Sequence, residues 1–428
     1  MSSPQKSFSA PKGTRDVLPP ESAAFERLVG TFAEWARRYG FGLLIGPMFE
    51  DVSVFNRGIG EDSDVARKEM YVFEDRGGRR LALRPEGTAS AVRAFVQHHP
   101  TTPWKVWYVT PAFRYERAQA GRYRQHHQVG VEVLGTDDPV VDVEVIALAW
   151  RFYEAMGLKQ VELLVNSMGH AGCRAPYLEM LSAHLAAYES ELCDEHKGDW
   201  RRNPLRVLDC KRAPCRTVTD AGPMLIDHLC DDCRTHFDVV TGGLDALGIN
   251  WTLAPRLVRG FDYYTRTTFE FSSRALDSAQ NAVGGGGRYD RLAEELGGEP
   301  TSGIGFGSGV ERVLLALEAE HVAPLANPRT DVFIIDTADG RTGLVLGEKL
   351  RSRGVAVERG YDGRSMKSQM KLADRSGARL AVIIGPSEIS SGTVTMRDLR
   401  RATDGDRQMS VPLADVDSAI AELLAETI

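Results

Sequence analysis

The strongest constraint on the fold lies between residues 107 and 132, where two stretches of alternating character flank a short basic loop. Successive side chains of a strand point to opposite faces of its sheet, so this alternation predicts two β-strands. Apolar and aromatic residues are expected to pack inward: Trp107, Val109, Phe113 and Tyr115 in the first strand, and Val129, Val131 and Val133 in the second. The polar residues of both strands then share the other face.

Antiparallel pairing of the two strands places several polar residues on one floor: Arg114, Glu116, His126, Gln128 and Glu132. Gly130 leaves open space among them. A sheet face that combines guanidinium, carboxylate and amide groups is typical of a small-molecule site. The loop of residues 117–124 holds three arginines and Gly121, which favours a flap over phosphate or RNA. A solvated hairpin tip is the alternative.

A chain of 428 residues is long enough for two or three domains. Residues 1–325 are expected to form one α/β body. Its clearest elements are strands at 105–114 and 129–134 and helices at 22–38 and 140–156. Residues 169–248 are helical in pattern and hold all six cysteines, so we interpret them as an insertion into that body.

Two prolines in residues 321–328 mark a linker to a second module. In residues 330–428 strands alternate with helices, which predicts a small, mostly parallel sheet covered by helices. Residues 341–407 contain 14 Lys/Arg against 8 Asp/Glu. A basic module on an acidic chain favours a contact with an RNA backbone, and a mixed solvated surface is the alternative.

Several classes of protein are disfavoured by composition and motifs. The net charge of −7 argues against a general nucleic-acid binder. We expect a cytoplasmic protein with no membrane contact, since neither a signal peptide nor a run of about twenty apolar residues is apparent. The glycine clusters fit neither G-x-G-x-x-G nor the P-loop pattern, so any ATP must be held by another architecture.

The run from Trp107 to Glu132 resembles motif 2 of the class II aminoacyl-tRNA synthetases, in its histidine-specific form. The resemblance covers nearly the whole chain. Further similar segments are Lys12–Asp16 (the opening of the family), Phe41–Asp51 (motif 1, at the dimer interface), Arg84–Thr88, Gly303–Arg312 (motif 3), and the two histidine-specific motifs, Leu257–Glu270 and Gly285–Asp290. The implied fold is a catalytic domain at 1–325 built on an antiparallel sheet, with a helical insertion at about 169–248 and an α/β anticodon-binding domain at 330–428.

The resemblance implies a ligase of protein biosynthesis that attaches L-histidine to its tRNA. The histidine carboxylate attacks the α-phosphate of ATP to give histidyl-adenylate and diphosphate. The terminal ribose of the tRNA then takes the histidyl group and AMP is released. The implied partners are histidine tRNA, histidine, ATP and a second copy of the chain as a homodimer, and Mg²⁺ would bridge phosphate oxygens.

The resemblance also assigns roles to individual residues. Arg114 and Arg259 are the implied catalytic cations at the α-phosphate, where fixed charge is expected to do most of the work. The implied histidine-binding residues are Glu86, Gly87, Thr88, Arg114, Gln128, Glu132, Arg259, Tyr263 and Tyr264. The implied ATP-binding residues are Arg114, Glu116, Arg122, His126 and Arg312. Arg117 and Gln119 are placed at the acceptor end of the tRNA.

Three positions depart from the family pattern. His126 stands where phenylalanine is usual against the adenine, Ala118 replaces a proline of the flap, and Gly307 replaces an alanine of motif 3. Imidazole can still stack, so we expect ATP binding with an altered pH response. The loss of the proline removes a fixed φ and is expected to loosen the flap.

The cysteines have spacings compatible with a structural zinc staple: Cys193-x-x-His196, Cys210-x₄-Cys215 and Cys230-x-x-Cys233-x-x-His236. The spacing between these pairs is irregular, so reduced buried thiols are the alternative. Other histidines of the insertion, such as His170 and His184, are expected to be ordinary surface or core residues.

Two other functions are compatible with parts of this pattern. A regulatory relative of these synthetases serves ATP phosphoribosyltransferase, but it lacks the C-terminal domain and loses active-site arginines. Arg114, Arg259 and Arg312 are all present here. A class II synthetase for another amino acid, such as proline or threonine, is disfavoured by the Arg259–Glu270 run.

Overall fold

The structure is a computed structural model that describes residues 8–60, 63, 65–117, 119, 121–258, 261, 263–276, 281–322, 330–400 and 408–425. The chain divides into two compact units, Met1–Pro324 and Leu325–Ile428. Among the described residues, no helix is long and apolar enough to cross a membrane.

The strands of the first unit are β1 (Gly42–Leu43), β2 (Phe49–Asp51), β3 (Val72–Glu74), β4 (Arg80–Leu83), β5 (Trp104–Phe113), β6 (Gln125–Leu134), β7 (Val161–Ser167), β8 (Thr252–Leu253), β9 (Thr265–Ser273), β10 (Ala282–Tyr289) and β11 (Gly303–Gly309). Within the described part of this unit, eight of them form a sheet in the order β1-β5-β6-β11-β10-β9-β7-β8. Its central pairings are antiparallel, and the two edge pairings, β1 with β5 and β7 with β8, are parallel. A smaller sheet has the order β2-β4-β3.

The helices of the first unit are α1 (Glu21–Arg38), α2 (Val52–Ile59), α3 (Thr88–His98), α4 (Pro139–Met156), α5 (Ala171–Ala187), α6 (Leu205–Leu208), α7 (Ala213–Asp220), α8 (Asp231–Ala246), α9 (Leu292–Glu295) and α10 (Val310–Ala319). The predicted helices at 22–38 and 140–156 are confirmed. In α1 the buried residues Leu28, Phe32 and Ala36 recur every fourth position, which makes one face of the helix apolar.

One face of the large sheet packs on α1, α4 and α10. Val129, Val131 and Val133 of β6 point into this core, as the alternation predicts. The prediction was wrong for part of β5. Val109 is 36% exposed and Tyr115, beyond the end of the strand, is 54% exposed. The buried side chains of β5 point to the opposite face (Val106, Tyr108, Thr110 and Ala112), because that face is also covered by protein.

A buried ion pair connects the eight-stranded sheet to α4. Arg288 of β10 and Asp142 of α4 are both completely buried, and Arg288 Nε lies 3.0 Å from Asp142 Oδ1. Arg288 also donates to the carbonyl of Thr136 and to Ser302 Oγ, while His236 Nε2 lies 2.8 Å from Asp142 Oδ2. Every charge of the cluster is therefore paired, as burial requires. The arginine of the Gly285–Asp290 run has a structural role.

The insertion consists of α5 to α8 and has a core of its own. Tyr177, Leu181 and Leu185 of α5 pack there with Trp200, Val218 and four buried thiols, Cys173, Cys193, Cys215 and Cys233. This core is small for the length of chain that it orders, and small cores often need a metal or disulfide to be stable.

The second unit contains strands β12 (Val332–Asp336), β13 (Val357–Arg359), β14 (Leu380–Ile384), β15 (Thr393–Asp398) and β16 (Gln408–Pro412), and helices α11 (Arg341–Arg351), α12 (Met366–Ser376), α13 (Pro386–Ser391) and α14 (Val416–Ala425). Across its described residues the strand order is β13-β12-β14-β15-β16. β13, β12 and β14 pair in parallel, whereas β15 pairs antiparallel with β14 and β16 pairs antiparallel with β15. The sheet is therefore mixed and mostly parallel in strand direction, as predicted, with β15 as the one reversed strand among the described residues.

Candidate active site on the large sheet

Three polar residues of β6 point to the same face of the sheet, namely His126, Gln128 and Glu132. Their partners on β5 are Ala112, Thr110 and Val106. The antiparallel pairing predicted for the two strands is therefore observed. Arg114 and Glu116 follow directly after β5 and border this polar floor.

Glu132 lies at the buried end of the floor, with no exposed surface. Among the described residues, three hydroxyl groups donate to its carboxylate: Thr88 Oγ1 at 2.7 Å, Tyr108 OH at 3.0 Å and Tyr289 OH at 2.5 Å. Burial raises the pKa of Glu132 to about 8, although the hydroxyl donors act in the opposite direction. Burial thus disfavours the charged form of this carboxyl group while no cation lies beside it. A basic nitrogen placed next to Glu132 would favour the charged form and could make an ion pair with it.

Sequence reasoning missed Tyr108 and Tyr289. Burial raises the pKa of both phenols, so both remain protonated and act as donors. Tyr108 pairs with Gly130 on the floor side of β5, so strand alternation contained the signal. Tyr289 stands in the Gly285–Asp290 run, but nothing in that run indicates a hydrogen bond to a residue 157 positions away.

Glycines shape the space around these groups. A Cβ atom at Gly87 or Gly130 would lie 2.4 or 2.5 Å from Tyr108, and one at Gly305 would lie 1.8 Å from Glu132 Oε2. Real side chains do not approach so closely, so the ring and the carboxylate occupy space that only glycine leaves free.

Glu86 is buried at the start of α3, whose N-cap residue is Gly87. Its carboxylate accepts hydrogen bonds from the backbone N–H of Thr88 at 2.5 Å and of Ala89 at 2.7 Å. Burial raises the pKa of Glu86, and these donors and Arg114 oppose the rise. A carboxylate has about four acceptor positions, so capacity remains for a cationic ligand.

Arginines surround the open end of the floor. Arg114 Nε donates to the carbonyl of Pro85 at 2.9 Å, and its guanidinium carbon lies 5.6 Å from the centre of the Phe261 ring. Arg122 lies 3.3 Å from Glu116 Oε2. Burial and the neighbouring Arg122 lower the pKa of Arg312, in the first turn of α10. A bound anion would reduce the repulsion between these arginines, and phosphate oxygens can accept paired hydrogen bonds from planar guanidinium groups.

His126 lies between this cationic region and Gln128. Burial, followed by the charge of Arg114, lowers the pKa of His126 to about 4. The imidazole is therefore neutral at physiological pH and can lie against an aromatic ring without carrying a charge, so the altered pH response that the sequence led us to expect is not supported.

A cavity of about 800 Å³ opens beside the floor. Arg114, Glu116, Arg122, Phe261 and Tyr264 line one side, and the insertion lines the other with Arg202, Asn203, Arg206, Lys211 and Arg212. Its volume is in the range of nucleotide- and drug-sized ligand sites.

The loop after β5 is a tight hairpin. The backbone N–H of Arg122 donates to the Gln119 carbonyl at 2.9 Å, and the reverse bond is 3.1 Å. Gly121 has a φ of +70°, as a turn of this kind requires. Arg117 and Gln119 are exposed, so both are available to a large partner.

Of the other predicted histidine-binding residues, Tyr263 and Tyr264 lie near Glu132, whereas the position of Arg259 is not described. Tyr263 and Tyr264 are buried, with ring centres 4.5 Å apart, and the Tyr263 ring lies 5.8 Å from that of Tyr289. Arg259, the second predicted catalytic cation, lies outside the described residues.

Within the described residues, the six cysteines and two histidines form two thiol clusters. The first cluster consists of His170, Cys173, Cys230 and Cys233, and the second of Cys193, His196, Cys210 and Cys215. In each cluster the candidate ligand atoms lie within 4.8 Å of one another. The single staple predicted from the sequence is thus divided in two. His170, which was expected to be an ordinary surface or core residue, belongs to the first thiol cluster. His236, which was predicted together with Cys230 and Cys233, instead contacts Asp142.

Comparisons with known proteins agree with this architecture. Residues 13–192 and 212–313 match the family model described as histidyl-tRNA synthetase, and residues 332–423 match that of an anticodon binding domain. The histidine–tRNA ligase of Mycobacterium marinum is 48% identical over 397 residues, which are 92% of this chain and 94% of the relative. That of Halothermothrix orenii is 44% identical over 420 residues, 97% of this chain and 99% of the relative.

A crystal structure of apo histidyl-tRNA synthetase from S. aureus superposes with a TM-score of 0.79 at 33% identity, covering 97% of this chain and 100% of that one. The antiparallel sheet, its polar floor and the separate α/β unit define a class II aminoacyl-tRNA synthetase. Within that class, the chain belongs to the histidyl-tRNA synthetase family.

Proposed function

We propose that the cavity beside β6 binds histidine and ATP together, and that its residues activate histidine for transfer to tRNA. Because it belongs to the histidyl-tRNA synthetase family, the chain is an ATP-dependent ligase that charges tRNA with histidine. The residue assignment rests mainly on Glu132, which is completely buried and accepts hydrogen bonds from three hydroxyl groups. It lies at one end of the polar floor, and arginines surround the other end.

Histidine recognition follows from these contacts. Glu132 takes one imidazole nitrogen, with Tyr263 and Tyr264 packed alongside. Glu86, Thr88 and Gln128 surround the α-ammonium group. A site that hydrogen-bonds a polar ring rejects apolar side chains by roughly 10⁴-fold, because its buried groups would be left unpaired. Such a site has little need of a separate editing step.

Activation of histidine requires stabilisation of charge on the α-phosphate. Arg114, held by its bond to Pro85, and Arg259 are the cations that we assign to it. Arg122 and Arg312 are placed at the distal phosphate and the adenine, with His126 against the base. In-line displacement then gives histidyl-adenylate and diphosphate, and the fixed guanidinium groups need no reorganisation as charge develops.

Mg²⁺ is the metal that we expect on the ATP phosphates. Glu116 Oε2 is buried and, among the described residues, accepts no hydrogen bond, although Arg122 Nη1 lies 3.3 Å away. A carboxylate oxygen is a ligand that Mg²⁺ prefers. When bound, the ion would neutralise charge on the phosphates. The zinc predicted from the cysteine spacing would be structural and is assigned no part in these steps.

The tRNA is proposed to contact two parts of the chain. The second unit, which matches an anticodon binding domain, is basic over residues 341–407 and is assigned to the anticodon. The exposed Arg117 and Gln119 of the hairpin are assigned to the acceptor end. The cytoplasm is the proposed location, since free thiols suit a reducing compartment.

Amino-acid-dependent exchange of diphosphate into ATP, tested with all the standard amino acids, examines this function directly. Histidine alone should support exchange. Exchange with proline or threonine instead would indicate another class II specificity. No exchange with any amino acid would favour a regulatory protein.

The pH dependence of ATP binding provides a test of His126. With a pKa of about 4, only about 1% of this imidazole is charged at pH 6. We therefore expect the ratio of the ATP KM values of wild type and His126→Phe to be the same at pH 6 and pH 8. A ratio that changes with a midpoint near pH 6.5 would show that the imidazole titrates normally and is not buried in this way.

A second copy of the chain is proposed to cover the motif 1 region. Ile45 is 86% exposed, and Leu43, Met48, Phe49 and Phe73 are also exposed, with the Phe49 and Phe73 rings 6.1 Å apart. Monomeric proteins rarely expose such a contiguous apolar surface.

The double variant Ile45→Asp, Phe49→Asp should be monomeric in sedimentation equilibrium, because dimerisation would bury two unpaired carboxylates. Val140→Asp, at the exposed start of α4, is the matched control and should leave the dimer intact. A wild-type chain that sediments as a monomer would contradict the proposal.

A further inference from the structure

The two thiol clusters have a composition that neither ATP nor tRNA chemistry explains. Each contains three cysteine sulfurs and one histidine Nδ1, contributed by two separate chain segments. We propose that each cluster binds one Zn²⁺ ion through three thiolates and one imidazole, so that the insertion contains two structural zinc sites.

The distances fit tetrahedral coordination. With Zn–S bonds of about 2.3 Å and a Zn–N bond of about 2.0 Å, neighbouring ligand atoms lie roughly 3.5–3.8 Å apart. In the first cluster, His170 Nδ1 is 3.2, 3.9 and 3.3 Å from the sulfurs of Cys173, Cys230 and Cys233. Each separation is within a few tenths of an ångström of the expected edge, and no sulfur is bonded to another.

The second cluster has the same dimensions. His196 Nδ1 lies 3.2 Å from Cys193 Sγ and 3.6 Å from Cys215 Sγ, and the sulfurs of Cys193 and Cys210 are 4.0 Å apart. A disulfide would require about 2.05 Å between two sulfurs. The separation instead suits two thiolates that share one cation.

The first cluster joins the starts of two helices. His170 and Cys230 are the N-cap residues of α5 and α8, while Cys173 and Cys233 lie in their first turns. The positive ends of both helix dipoles therefore point toward the sulfurs and stabilise negative charge there. The backbone N–H of Cys230 also donates to Cys173 Sγ at 3.2 Å. The ligand spacings, H-x-x-C and C-x-x-C, are those of a zinc site.

The second cluster orders a segment with little regular structure. Residues 193–211, which lie between the two stretches matched by the family model, contain Cys193, His196 and Cys210. Cys215 belongs to α7, and the backbone N–H of Cys193 donates to its sulfur at 3.3 Å. Between Cys193 and Cys210 the described helix is the short α6. A metal ion would tie this segment to α7 where the small core of the insertion cannot.

The second site also fixes one wall of the cavity. His196 and Cys210 line the cavity themselves, and Arg206, Lys211 and Arg212 line it from the same segment. Three thiolates with one Zn²⁺ leave a single negative charge, and Arg212 lies beside Cys193 to balance it. The metal would thus hold basic side chains at fixed positions across the cavity from Arg114.

Metal analysis of the purified full-length protein tests the proposal. Protein prepared without chelators should contain about two zinc ions per chain by plasma mass spectrometry. Cys215→Ser and Cys233→Ser should each retain about one ion, and the double variant none. His184→Ala, in the same insertion but outside both clusters, is the matched control and should retain both. Chelation should lower the Tm and release six thiols to Ellman's reagent, because the metal contributes directly to folding.

The wild-type measurement decides the question even if a variant fails to fold. Protein without zinc whose six thiols all react freely in the native state would overturn the proposal. One ion per chain would exclude the pair of sites, and iron in place of zinc would exclude the assigned metal. Replacement by Co²⁺ should give the visible absorption of tetrahedral cobalt thiolate, and an octahedral spectrum would contradict the ligand set.

Discussion

Replacing Glu132 with alanine should lower kcat/KM for histidine in the ATP–diphosphate exchange reaction by roughly a thousand-fold or more. The variant would lose the partner of the imidazole and leave the hydroxyls of Thr88, Tyr108 and Tyr289 without their acceptor. The fold should survive, because the removed carboxyl group is itself an unfavourable buried group, as its raised pKa indicates.

Two controls separate recognition from stability. Glu132→Gln keeps an acceptor for the hydroxyls but cannot become charged, so its loss should be intermediate. Glu144→Ala removes an exposed carboxylate that is paired with Lys105 on β5 and should leave exchange unchanged. Exchange at the wild-type rate in Glu132→Ala, with an unchanged circular dichroism spectrum, would disprove the role assigned to Glu132.

The second large effect is expected at Arg114. Arg114→Gln removes a fixed cation from the α-phosphate and should reduce kcat for exchange by about 10²–10³-fold at saturating ATP. Arg114→Lys should also be strongly impaired, because lysine keeps the charge but has no planar fork and no Nε to donate to Pro85. The rate of exchange and the KM for ATP would be measured for both variants.

The matched control is Arg274→Lys, an exposed arginine paired with Glu162 at the far side of the sheet. It should behave as wild type. If Arg114→Gln retained the wild-type kcat and only its KM for ATP increased, Arg114 would contribute to ground-state binding and not to the chemical step.

Local patterns predicted much of the secondary structure. The alternation in β6 correctly predicted that Val129 and Val131 point into the core. The short loop between β5 and β6 correctly predicted their antiparallel pairing. In the second unit the predicted alternation of strands with helices is confirmed, for example by β12, α11 and β13. The position of the one reversed strand, β15, could not be predicted. Gly392, with a φ of +67°, turns the chain back after the short α13, and no periodicity in the sequence reports such a turn.

The floor of the site was predictable, but its surroundings were not. Strand alternation places His126, Gln128 and Glu132 together, since that depends only on position along one strand. Two of the three donors to Glu132, Thr88 and Tyr289, are 44 and 157 positions away in sequence, and only the tertiary fold brings them there.

The division of the six cysteines into two clusters also depends on the tertiary fold and could not be predicted from local spacing. Spacing grouped Cys193, His196, Cys210 and Cys215, which form the second cluster, but it could not separate them from Cys230 and Cys233. It also overlooked the His170-x-x-Cys173 segment, because the second half of that cluster lies 57 residues further along the chain.

Tyr108 fills the volume that two absent methyl groups leave at Gly87 and Gly130. The depth of the pocket is therefore set by an aromatic wall, whereas its polarity is set by Glu132. An attempt to load a bulkier imidazole analogue onto tRNA would accordingly begin by shortening the side chain of Tyr108. Widening the pocket there preserves the carboxylate to which we assign recognition of the nitrogen heterocycle.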